Sequence, residues 1–140
     1  MLVVPKLKLI GAWTSIPGLY FGPAWYYLLA PFALLGQFNP LYSVISMVIL
    51  VLLQMYLVYR YFNLESAAII GFSGFWIMIS RSAWNPYPMT LITWLILILL
   101  GKLQKNKSVR KYWCFLGVSM GLGFHFSTAF AVLYLLLVPV

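Results

Sequence analysis

Few residues of this 140-residue chain can do chemistry, and those that can are suited to holding a ligand rather than moving protons. Glu65 is the only acidic residue, His125 the only histidine and Cys114 the only cysteine. Paired carboxylates, a nucleophile–base triad and a metal cluster therefore cannot be assembled from this chain alone, and no cofactor is implied. Glu65, in the turn NLES, reads as a helix N-terminal acid favoured by the macrodipole. The most concentrated set of binding groups is the run SRSAWNPYP over residues 80–88. Arg81 is a permanent cation whose guanidinium can grip a phosphate bidentately. Trp84 and Tyr87 can stack on a sugar or a lipid, and Asn85-Pro86 makes a turn that starts the next helix. The same run equally describes an interfacial loop whose arginine meets lipid phosphates.

Two further positions belong with it. His125 lies in the run GLGFHFST, deep in an apolar stretch, where an ionisable group is costly and faces the interior of a bundle or a watery cavity. It suits either a hydrogen bond to a neighbouring helix or contact with a substrate or phosphate. Gly117, Gly121 and Gly123 form a small-residue ridge one turn above it, expected as a packing face. The stretch SIPGLYFGPAWYYLLAP over residues 15–31 has Gly18, Gly22 and Pro23 for turns, then Trp25, Tyr26 and Tyr27. These aromatics suit anchoring at a membrane interface, or a platform for a sugar or polyprenyl chain.

The elements that must position these residues follow from composition. Hydrophobic residues make up 64% of the chain and charged residues 7%, against about 25% charged in soluble domains. So few charges cannot solvate a globule; they can decorate the ends of membrane helices. Five of the nine basic residues fall within 102–111, beside two apolar runs. That is the positive-inside pattern, and it also suits anionic lipid headgroups. The cluster has no interleaved aromatics, which argues against nucleic acid as a partner. A lone cysteine says nothing firm about redox compartment, and residues 1–10 do not resemble a cleaved signal peptide.

A helix crosses a bilayer core of about 30 Å with about 20 apolar residues. Four stretches qualify or come close: 41–59 (LYSVISMVILVLLQMYLVY), 66–80 (SAAIIGFSGFWIMIS), 87–100 (YPMTLITWLILILL) and 113–138 (WCFLGVSMGLGFHFSTAFAVLYLLLV). A fifth, 21–35 (FGPAWYYLLAPFALL), is short and holds Pro23 and Pro31, which favours an interfacial or re-entrant helix over a kinked span. The expected fold class is all-α, a polytopic transmembrane bundle of about four spans plus that helix. Residues 1–140 form a single membrane-embedded segment: 1–40 an extracytoplasmic loop and 41–138 the four spans. With 102–111 in the cytoplasm, Arg60 and Glu65 are cytoplasmic too, and the loop holding Arg81 is extracytoplasmic. Arg81 is then an exception to the positive-inside rule, and such exceptions can mark a functional charge.

The sequence also resembles a family. GPAWYYLLAPFALLG followed by NP, a span ending YRYF, then SRSAWNP, then GVSMGLGFHFSTAFAVLYLLL occur in the order found in GT-C type membrane glycosyltransferases. The likeness is to the bacterial branch related to protein O-mannosyltransferases and lipid A aminoarabinose transferases, and it extends from about Gly11 onward. The resemblance implies transfer of a sugar from a polyprenyl-phosphate donor to an acceptor on the extracytoplasmic side of a bacterial-type inner membrane. It implies that residues 11–39 are the second part of the first extracytoplasmic loop and that Arg81 meets the donor phosphate. His125 is similar in position to a histidine common in this branch. One departure is serious: the family's acidic base, near the end of its first helix, has no counterpart here.

The expectation is therefore a part of an integral-membrane glycosyltransferase, a piece of a longer chain, with membrane lipid and a polyprenyl-phosphate-linked sugar as partners. Its catalytic residues are unassigned, and substrate contacts are expected from Arg81, Trp84, Asn85, Tyr26, Tyr27 and His125. Two alternatives are a small membrane transport or channel subunit and a membrane protein that binds lipid-linked sugar without turning it over. The first would want polar residues along several spans, and here they are few beyond Gln54, His125 and scattered Ser and Thr.

Overall fold

The computed structural model describes residues 9–14, 17–106, 108–130, 132 and 134. Among them the chain forms six helices and no strand: α1 (Ala24–Leu35), α2 (Pro40–Tyr61), α3 (Leu64–Phe72), α4 (Gly74–Ser80), α5 (Pro88–Lys105) and α6 (Arg110–Phe126). Local chemistry explains most of the boundaries. At the start of α2, Asn39 Oδ1 accepts a hydrogen bond from the Leu41 amide at 3.0 Å, and Pro40, with no N–H to satisfy, takes the first helical position. At the start of α3, Asn63 Oδ1 accepts from the Ser66 amide at 2.7 Å and Glu65 sits in the first turn, as its acidic charge favours. The α1–α2 turn closes with the Phe38 amide donating to the Ala33 carbonyl and the Gln37 amide to Leu34. Gln37 and Phe38 take positive φ there, of 50° and 65°, the left-handed end that satisfies the last carbonyls of a helix.

The elements pack as two layers of contact around α2. Trp25 of α1, Met47 of α2, Ile92, Ile96 and Leu103 of α5, and Leu116 and Phe126 of α6 share one core with Phe130. Val58 of α2 and Ala67 and Ile70 of α3 form a second, smaller one. One face of α2 is bare: Val48, Ile49, Leu52, Leu53, Tyr56 and Tyr59 are all exposed. Only 28% of its apolar window is buried, and the same holds for α5. Large exposed apolar patches on a chain mark contact with a membrane or another protein. α2 and α5 are each long and apolar enough to cross a membrane.

The four expected spans are reproduced only in part. Residues 41–59 and 87–100 correspond to α2 and α5, both slightly longer than read from hydropathy. Residues 66–80 are not one span but two short helices of nine and seven residues. The break falls at Ser73, whose φ of −70° and ψ of 127° are extended, between Gly71 and Gly74. Residues 113–138 are not one helix either: α6 ends after 17 residues at Ser127, which is extended at φ −158° and ψ 136°. Most of 131–138 lies outside the described residues, as do residues 1–8 of the expected loop. α1, with 12 residues, is about 18 Å long and does not reach across a bilayer core. It packs against α2 and α6. The start expected of α5 at Asn85-Pro86 moves to Pro88, because residues 84–87 close a separate turn in which the Tyr87 amide donates to the Trp84 carbonyl at 3.1 Å.

Candidate functional site

Ahead of α1 the chain doubles back on itself. The Gly11 amide donates to the Phe21 carbonyl at 2.9 Å, the Phe21 amide to the Ala12 carbonyl at 2.9 Å, and the Thr14 amide to the Leu19 carbonyl at 3.2 Å. Trp13 meets Tyr20 edge to face at 5.2 Å. This small hairpin is held by close backbone approach: a Cβ on Gly11 would lie 2.2 Å from the Gly22 carbonyl oxygen. It delivers Gly22 onto the imidazole of His125, in the last turn of α6, where a Cβ on Gly22 would lie 1.9 Å from Nδ1. Only glycine lets the two segments meet at that distance.

His125 is thus set at the end of α6, not at the middle of a continuous span. The sequence after it explains why. Ser127 Oγ accepts from the Ala129 amide at 3.2 Å, a local hydrogen bond that competes with helix continuation. Phe130 then folds back over Gly123, where a Cβ would lie 2.4 Å from its ring, and is 1% exposed. The Tyr134 hydroxyl closes the return by donating to the Met120 carbonyl. Of the glycine ridge only Gly123 packs against anything; Gly117 and Gly121 face open space. An open hollow of about 530 Å³ remains at this corner, lined by Leu19, Tyr20, Gly22, Phe124, His125 and Thr128. Nδ1 of His125 is buried with no hydrogen-bond partner.

The loop between α4 and α5 is built differently. α4 closes with Ser80 Oγ donating to the Ile77 carbonyl at 2.7 Å and the Arg81 amide to Met78 at 3.1 Å. Arg81 is exposed, and its guanidinium has no hydrogen bond or ion pair among the described residues. Trp84 stands edge-on to Tyr87 at 5.4 Å, and Ser82 Oγ donates to the Tyr87 hydroxyl at 3.3 Å. Nδ2 of Asn85 is buried without a partner. One turn into α5, Thr90 Oγ1 reaches both Gln54 Oε1 of α2, at 2.9 Å, and the Tyr87 carbonyl, at 2.8 Å. Gln54 is 1% exposed, and its Nε2 also lacks a partner.

Because α5 and α6 form a helical hairpin, the N-terminus of α5 and the C-terminus of α6 share one end. That end carries Asn85 and His125, with Arg81 in the loop leading to it. Among the expected contacts, however, only His125 lines the hollow; Arg81, Trp84, Asn85, Tyr26 and Tyr27 do not. Tyr26 packs against the main core and Tyr27 is 47% exposed. Leu19, Tyr20, Gly22, Phe124 and Thr128 also line it; they lie in the runs SIPGLYFGPAWYYLLAP and GLGFHFST but were not among the expected contacts. Buried polar atoms are ordinarily satisfied; among the described residues Asn85 Nδ2 and His125 Nδ1, at this end, have no hydrogen-bond partner. The groups present can hold an anion or a hydroxyl-bearing molecule. Among the described residues no three of His, Cys, Asp and Glu gather to hold a metal. The chain matches no family model, no curated protein and no solved structure.

Proposed function

We propose that this chain is part of an integral-membrane glycosyltransferase, taking a sugar from a polyprenyl-phosphate donor to an acceptor on the extracytoplasmic side of a bacterial-type inner membrane. The order of GPAWYYLLAPFALLG, NP, SRSAWNP and GLGFHFST along the chain supports the family reading. The observation that supports a site at this end is that, among the described residues, Asn85 Nδ2 and His125 Nδ1 are buried without a hydrogen-bond partner and the Arg81 guanidinium in the neighbouring loop forms no hydrogen bond or ion pair. The exposed apolar residues of α2, and the length and apolar composition of α2 and α5, support a membrane setting, with the basic residues 102–111 on the cytoplasmic side.

In this reading the acceptor hydroxyl oxygen attacks the anomeric carbon as the bond from that carbon to the phosphate oxygen breaks. The hydroxyl proton passes to a carboxylate supplied from beyond these 140 residues, since Glu65 lies at the opposite end. Polyprenyl phosphate leaves with its new negative charge, and Arg81 stabilises that charge. In this reading residues 1–140 contribute the donor-side wall, with His125 at the hollow, and Asn85, Trp84, Tyr26 and Tyr27, outside it, are the further contacts the resemblance implies.

The test is photolabelling of protein-containing membranes with a diazirine-bearing polyprenyl-phosphate sugar, mapped by peptide mass spectrometry. Labelling within 19–27, 81–87 or 124–128, displaced by unlabelled donor and reduced in Arg81→Ala, is the expected result. Labelling that is unchanged by excess donor, or confined to the lipid-facing side of α2, sinks the proposal. The reading frame upstream gives a second check: it should encode a spanning helix ending in Asp or Glu.

A further inference from the structure

The other end of the α5–α6 hairpin gathers cations that the proposed transfer does not use. Three elements bring them there: Arg60 from the last turn of α2, Lys102 from the end of α5 and Lys111 from the start of α6. They converge on two tyrosines. Lys102 Nζ stands 4.5 Å from the Tyr61 ring centre and 5.5 Å from that of Tyr112, and donates to the Tyr61 hydroxyl at 3.2 Å. Lys111 Nζ lies 5.4 Å from Tyr112, and the Arg60 guanidinium carbon 5.9 Å from Tyr61.

Cation–π contact holds each charge in place, but three like charges around two rings still repel one another. No described residue neutralises them: Glu65 is the one acidic side chain in the sequence and forms no ion pair among the described residues. Lys111 also stands in the first turn of α6, where the helix macrodipole disfavours a cation. A fold that brings cations together and supplies no anion has left room for one from outside. The cluster lies at the end of α2, where its exposed apolar residues Leu52, Leu53, Tyr56 and Tyr59 stop, and tyrosine is a residue of the headgroup layer. An anion whose apolar tail continues along that face fits both features.

We infer that Arg60, Lys102 and Lys111, framed by Tyr61 and Tyr112, form a binding site for the phosphate of an anionic phospholipid. The inference rests on the membrane reading but not on sugar transfer, so loss of one leaves the other standing. The phosphate accepts from the three cations while the tyrosine rings hold Lys102 and Lys111 in position. Lys105, on the same basic segment, makes no contact with either ring and serves as the control.

The experiment is native mass spectrometry of the full chain in neutral detergent, titrated with phosphatidylglycerol or phosphatidylcholine. Wild type should retain phosphatidylglycerol in preference to phosphatidylcholine. Lys102→Gln should weaken that retention about fivefold, and Lys111→Gln similarly, as expected from about 1 kcal/mol per basic residue at an anionic headgroup. Lys105→Gln should match wild type, and the thermal unfolding of each variant reports that the fold is kept. Equal loss in Lys102→Gln and Lys105→Gln overturns the site in favour of diffuse charge. Equal retention of both lipids overturns it as well. Displacement of phosphatidylglycerol by millimolar inorganic phosphate would make this a site for free phosphate and overturn the lipid assignment.

Discussion

The two ends of the α5–α6 hairpin, separated by about 27 Å of helix, solve opposite problems. At one end the hairpin of residues 11–22 is pressed onto α6 so closely that Gly22 meets His125 with no room for a methyl group, yet the buried nitrogens of His125 and Asn85 have no partner. At the other, long exposed side chains spread over tyrosine rings, every contact is loose, and what lacks a partner is charge. Tight backbone with unspent hydrogen bonds suits a site shaped for a polar molecule. Loose side chains with unspent charge suit a surface that meets a fluid layer of headgroups. Substitutions should therefore register mainly as stability at the first end and mainly as ligand binding at the second.

Gly22→Val breaks the comparison most directly. The added atoms must push either the hairpin or His125 aside, and unfolding in detergent micelles followed by circular dichroism should show a loss of about 2–3 kcal/mol. A Gly22→Val protein as stable as wild type would mean that the close approach is not built into the fold. The pair Gly22→Ala and His125→Ala sharpens the point. Removing the imidazole should restore room for the methyl group, so the double variant should be more stable than the sum of the singles by about 1–2 kcal/mol. Additivity would show that the two residues do not meet.

Smaller effects are expected as one moves away from that contact. Gln54→Leu removes a buried amide whose nitrogen is unsatisfied, while Thr90 keeps the Tyr87 carbonyl as its acceptor. The lost bond and the relieved nitrogen offset each other, and stability should change by less than about 1 kcal/mol in either direction. Lys102→Gln, at the loose end, should alter stability by no more than about 0.5 kcal/mol, measured by the same unfolding experiment. A larger loss there would make the cation–tyrosine cluster a structural element rather than a surface.

Hydropathy located α2 and α5 to within a few residues because a long apolar run with charges at its ends has few alternatives. It failed at the other two stretches for a reason visible in particular residues. Ser73 between Gly71 and Gly74, and Ser127 before Thr128, interrupt the backbone without interrupting the apolar character, and a window average passes over them. Glu65 was legible as a helix N-terminal acid, while the Asn39 and Asn63 caps, which hydropathy does not register, act through neighbours in the chain. For the candidate site, residue type named Arg81, Asn85 and His125 among the expected contacts, and of these only His125 lines the hollow. Its shape was not legible, because Gly22 and His125 are brought together by an approach across about a hundred residues of chain.

What the sequence determined by itself was scarcity and sidedness. One carboxylate excludes a carboxylate pair, and basic residues clustered at 102–111 set one end of the chain's apolar runs apart by charge. Those conclusions need only a count and a position. Which groups meet was decided by tertiary structure: that Gly22, not another helix, covers His125; that Arg81 and His125 do not share a wall; and that Lys102 lies between two tyrosines from different helices. Such contacts depend on how broken helices and a short hairpin pack, which sequence spacing along one helix cannot encode.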